Sequence, residues 1–126
     1  MKNKAFYIFL GIMLIGLTSF AQFSRATQVT IAGAKSGNLT KSKVVNAGEL
    51  VISDRAKTIS SFEMSFKSSS GVVVYTSNNK KLTQEMKNAI NGIKFPTKVT
   101  FRNIMAHTNA NPDRKERLQE FTITVQ

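Results

Sequence analysis

Between Ile59 and Ser77 the chain reads ISSFEMSFKSSSGVVVYTS, and the period of this stretch constrains the fold more than any other. Phe62, Met64 and Phe66 alternate with Glu63, Ser65 and Lys67. A period of two puts the first set on one side of an extended chain and the second set on the other, as in a strand with one face buried and one wet. Lys67-Ser68-Ser69-Ser70-Gly71 supplies a turn, and Val72-Val73-Val74-Tyr75 returns with β-branched and aromatic side chains that suit a pleated surface. The two runs predict a β-hairpin with a loop of a few residues. The chain has no tryptophan, and the Phe/Met face reads as the wall of a core rather than a platform for a ligand.

Shorter segments on either side follow the same logic. Val29 and Ile31 predict a short strand ending at Gly33, and 33–40 is rich in turn residues. Ser42 to Ala47 predicts a helical turn closed by Gly48, and 49–54 a second strand. After the hairpin the period changes. Leu82, Met86, Ala89, Ile90 and Ile93 share one stripe of a helix, with Thr83 as its N-cap, Glu85 in its first turn and Asn91-Gly92 at its end. Pro96 bars further helix. Val99 and Phe101 begin another strand whose phase slips at Asn103-Ile104, the sign of a bulge or of the strand's end. His107 to Glu116 reads as a polar loop with an Asn111-Pro112 turn, and 121–125 as the last strand. About six short strands and one short α-helix predict a mainly β fold, an antiparallel β-sandwich.

The first residues are of another kind. Lys2 and Lys4 precede an apolar run from Ala5 to Leu17, and Ser19-Phe20-Ala21 ends it with small residues at the −3 and −1 positions. This is the layout of a secretory signal peptide, and the run is shorter than the roughly 20 apolar residues a membrane span needs. Residues 1–21 are therefore expected to be cleaved between Ala21 and Gln22, leaving 22–27 as a lead-in and 28–126 as one domain. The expected location is periplasmic or secreted, with membrane contact only through the signal peptide. The chain has no cysteine, which excludes a disulfide scaffold, thiol catalysis and lipoprotein acylation.

Once Lys2 and Lys4 leave with the signal peptide, 16 of the 18 basic residues remain against 7 acidic ones, a net charge of +9. Such a balance favours anionic partners and also keeps a protein in solution. The cations fall in two groups, Lys80, Lys81, Lys87 and Lys94 around the helix and Arg114, Lys115 and Arg117 before the last strand. They are candidates for an acidic protein face, or for envelope glycans or lipid headgroups. A solvated surface explains them as well. Nucleic acid is not expected, because the phenylalanines that would stack on bases are assigned to the core.

Few residues are suited to catalysis. His107 is the only histidine, and no Gly-x-Ser-x-Gly elbow activates a serine. A serine triad meets only in the fold, yet its residue types alone do not point to one. Zinc would need more His or Cys ligands than the chain has. Asn109, Asn111 and Asp113 place oxygens on alternate residues, and Glu120 falls where a calcium loop has its bidentate glutamate. Arg114 stands where that loop needs glycine and Pro112 intrudes, so a plain turn is the expectation. Asn38-Leu39-Thr40 matches the N-glycosylation acceptor pattern, which matters only in a eukaryotic secretory pathway. The chain is expected to be no enzyme and to need no cofactor or metal.

One family resemblance spans about residues 28–126. The run from Ala32 to Lys41, AGAKSGNLTK, is similar to the Gly/Ser-rich start of the C-terminal domain of the gliding-motility protein GldM. Ser61-Phe62-Glu63-Met64-Ser65-Phe66 resembles that family's hairpin strand, Leu82-Thr83-Gln84-Glu85 its helix opening, and Lys98 to Ala106, KVTFRNIMA, its K-V-x-F-x-x-I-x-A strand. The resemblance implies an immunoglobulin-like fold in the envelope of a Bacteroidetes-type bacterium. It also implies protein partners among the components of gliding motility and type IX secretion.

Overall fold

The computed structural model describes residues 27–126. The expected signal peptide and the lead-in up to residue 26 lie outside the described residues. In chain order the elements are β1 (Val29–Ile31), β2 (Asn38–Leu39), α1 (Lys41–Ala47), β3 (Leu50–Ile52), β4 (Lys57–Ser68), β5 (Gly71–Ser77), α2 (Gln84–Asn91), β6 (Thr97–Thr108), β7 (Asn111–Arg117) and β8 (Phe121–Val125). The protein is mainly β and its pairings are mostly antiparallel, as the sequence predicts. The main sheet has six strands in the order β2-β8-β6-β4-β5, and β7 pairs with β6 beside β8. β2 joins β8 in parallel, and β1 and β3 form a separate two-stranded ribbon.

The predicted hairpin is β4 and β5. Its register is unbroken from Phe62 opposite Ser77 to Ser68 opposite Gly71, so the loop shrinks to Ser69 and Ser70. The phase slip at Asn103 is a bulge and not the strand's end. Between Ser61 and Glu63 of β4, its partner β6 runs from Met105 to Arg102 and so carries one extra residue. A second irregularity, at Ser60 of β4, offsets the first and restores the register. Asn103 takes a left-handed φ of 49°, a conformation that asparagine tolerates better than most residues. The bulges turn Ile59, Phe62 and Met64 of β4 and Val99, Phe101, Ile104 and Ala106 of β6 all inward, although strict alternation would have put some of them outside.

One core lies against this inner face, closed by the ribbon through Ile31 and Leu50 and by the helices through Val44, Met86 and Ile90. Phe101 is its centre, with ring centroids 6.1 Å from Phe62 and 5.0 Å from Phe121. The opposite face carries short polar side chains, among them Thr100 and Thr122, whose hydroxyls lie 2.9 Å apart.

Two expectations need correction. The described residues hold two helices rather than one, because the turn expected at Ser42–Ala47 is a seven-residue helix. Its ends are both secured: the Thr40 hydroxyl accepts from the Lys43 amide at 3.2 Å, and Gly48 closes it with φ of 70°. The polar loop expected over His107–Glu116 is instead the end of β6, a tight turn at Asn109-Ala110 and the strand β7. Every residue of β7 is exposed, so no alternation of apolar residues marks it. Asn109 is held within this turn region, accepting from the Thr58 hydroxyl at 2.6 Å and donating to the Arg55 carbonyl at 3.2 Å.

Gly48 also ties the two halves together, since its carbonyl accepts from the Leu82 amide at 2.9 Å and Leu50 in turn donates to Lys80 at 2.8 Å. Gly48→Ala is expected to cost about 1 kcal/mol, because a Cβ residue resists the left-handed conformation. Space is not the obstacle, as the nearest atom to an added Cβ is the Val45 carbonyl oxygen at 3.7 Å. Urea denaturation measures the loss.

Candidate functional site

The six-stranded sheet has three borders, and they differ in how they meet water. A border strand offers alternate amides and carbonyls to any other extended chain, so proteins usually guard it with charge, proline or brevity. β2 is two residues long. β7 reads NPDRKER, with a proline and five charged side chains. β5 reads GVVVYTS, seven residues with no charge, no proline and no bulge, paired on one side to β4 alone. Val72 and Val74 stand on its outer face, 68% and 45% exposed.

An open groove of about 600 Å³ adjoins the inner face of β5. Val73 and Tyr75 project to this side, because they pair across from Phe66 and Met64. Phe66 stacks on Tyr75 with centroids 6.3 Å apart. Ile93, Lys94 and Phe95, which follow α2, form part of the lining. Phe95 is 77% exposed, the most exposed large apolar side chain among the described residues. The expectation that the phenylalanines turn into the core therefore fails at this position.

The cations expected to bind are not gathered into one patch. Arg114, Lys115 and Arg117 lie on β7, separated from β5 by β6 and β4. Lys80 is paired with Glu49 at 3.6 Å, the Lys81 amide donates to the Asn79 side chain at 2.7 Å, and Lys87 is half-buried on α2. Only Lys94 of these seven lines the groove, where Lys67 joins it. Phe95 and the bare β5 border are what the sequence reading missed. Their signals were the uncharged valine triplet and a phenylalanine placed after the helix, outside its apolar stripe.

The best-connected ion pair is structural. Lys57 Nζ contacts Glu116 of β7, Asp54 at 3.8 Å and the Thr27 hydroxyl at 3.1 Å, and so fastens the start of β4 to its surroundings. Its pKa is raised above 10.5, chiefly by the hydrogen bond to Glu116, against burial and with help from the charges of Glu116 and Asp54. The folded state thus holds this proton more tightly than the unfolded chain does. That contribution is full below pH 10.5 and is lost as the pH rises through the higher folded value. Lys57→Met is expected to cost under about 1 kcal/mol at neutral pH, as partly exposed pairs do, with the deficit closing at a pH above the raised folded-state pKa. Denaturant titrations at the two pH values check this.

His107 sits half-buried on β6 between Thr58 and Lys115. Ser77, the buried polar residue of the described chain, donates its hydroxyl to the Lys81 carbonyl at 2.7 Å and shapes the turn into α2. Among the described residues no group of three or more His, Cys, Asp or Glu could hold a metal ion, and no helix is long and apolar enough to cross a membrane. No family model matches the chain, and no curated protein matches it.

Proposed function

We propose that this chain is an exported, non-catalytic interaction module of the bacterial envelope, which docks another protein by taking that partner's extended strand onto the free side of β5. The observation that carries the reading is the contrast among the sheet borders: β2 and β7 are guarded, and β5 is bare with Val72 and Val74 exposed. In this reading the ribbon and the main sheet are the two sides of an immunoglobulin-like sandwich. The resemblance to the GldM C-terminal domain supports that fold, a periplasmic or secreted location, and a partner among gliding and type IX secretion components.

Strand pairing with apolar contact resists salt, whereas attachment of a +9 chain to glycans or lipid headgroups weakens steeply as ionic strength rises. Crosslinking in native envelopes, with a tag after Gln126 and mass spectrometry of the products, separates the two. The expected result is a protein adduct through Lys67 or Lys94 that persists in high salt. Adducts through Arg114, Lys115 and Arg117, or recovery of lipid or glycan that salt releases, would refute docking at β5.

A further inference from the structure

Resting on the docking reading above, we infer that the strand β5 accepts is an acidic–apolar one, whose large apolar side chain enters the groove beside Phe95 and whose carboxylate two residues along, on the same face of the strand, meets Lys94. A strand laid along β5 sends alternate side chains to the inner side, where Phe66, Val73, Tyr75 and Phe95 line the groove. The stacked Phe66–Tyr75 pair and the exposed Phe95 ring offer aromatic surface that one aromatic or long aliphatic side chain would cover. Of the two charged residues at the lining, Lys67 pairs with Val72 and so projects to the outer face, which leaves Lys94 as the charge on the groove side, and the lining has no carboxylate. Its electrostatic complement is therefore an acidic residue close to the apolar anchor.

The same chemistry argues against self-occupation. A second copy would bring its own β5, GVVVYTS, which has no carboxylate, together with a second large positive charge. The first 26 residues of this chain carry Lys2, Lys4 and Arg25 and no acidic residue. The occupant is thus a segment of another protein.

Two eight-residue peptides test the inference by NMR on the isotope-labelled protein. One repeats phenylalanine-threonine-aspartate-threonine, so that phenylalanine and aspartate fall on one face of the strand, and the other has lysine in place of each aspartate. In about 150 mM salt, where screening acts beyond about 8 Å, the aspartate peptide is expected to bind about fivefold or more tightly than the lysine peptide. It should shift the resonances of Lys94 and Phe95 and slow hydrogen exchange of the β5 amides. Lys94→Glu and Phe95→Ala should each weaken it severalfold without unfolding the protein, since both side chains are exposed. Equal binding of the two peptides with β5 protected would overturn the acidic–apolar preference and leave strand docking standing. Binding that leaves β5 unprotected, or no binding of either peptide, would overturn both.

Discussion

Phe101→Ala is expected to destabilise the protein by about 3–5 kcal/mol, the range for removing a buried phenylalanine ring. Phe101 is fully buried in the middle of β6, opposite Met64 of β4 on one side and Phe121 of β8 on the other. Its ring meets those of Phe62 and Phe121, so the substitution leaves a void where three strands share their inner face. Domains of about 100 residues have only about 5–15 kcal/mol in hand, and each kilocalorie moves their midpoint by roughly 4–8 °C. The variant should therefore melt at least about 12 °C below the parent, followed by circular dichroism. Phe66→Ala should cost distinctly less, because Phe66 is half-buried at the groove. Similar losses for the two would mean that the core is not centred on Phe101.

The double substitution Val72→Lys and Val74→Lys is expected to do the reverse, sparing the fold and abolishing docking. Both side chains point to solvent on a border strand, so stability should change by no more than about 0.5 kcal/mol per site. Lysine on an exposed border is the guard that such strands commonly carry. It would remove two apolar contacts on the outer face, away from the groove where the incoming strand's carboxylate meets Lys94. Partner capture from envelopes should fall at least about tenfold, the equivalent of about 1.4 kcal/mol. The substitutions raise the net positive charge by two, so a charge-driven attachment would strengthen instead. Undiminished capture would show that β5 is not the docking border.

How much of this could be read from the chain depends on what burial writes into a sequence. Phe62, Met64, Val99 and Phe101 alternate because one face of their strands is dry, and Leu82, Met86, Ile90 and Ile93 repeat helically for the same reason. Those elements were legible, as was the phase slip at Asn103, though not whether it marks a bulge or the strand's end. β7 was not, since a strand exposed throughout keeps no apolar rhythm and Asn111-Pro112 reads as a turn. α1 was legible only as a turn, because it buries Val44 alone and owes its length to Thr40 and Gly48 at its ends. The candidate site was the least legible part. Charge drew the reading towards Arg114, Lys115 and Arg117, whereas the distinguishing feature of β5 is an unpaired backbone, which depends on the strand order; the uncharged valine triplet marks a strand but not its place at a border.

Photocrosslinking from two positions tests docking at β5 most directly. A photoreactive side chain replaces Thr76 on β5 in one variant and Arg114 on β7 in the other, both exposed positions on opposite borders of the sheet. Irradiation in intact envelopes at about 0.5 M salt, where charges are screened beyond roughly 4 Å, is expected to give a discrete protein adduct from position 76 and none from position 114. Adducts confined to position 114, or attachment to lipid or glycan that disappears with salt, would contradict docking at β5 and make the positive charge the means by which this protein binds.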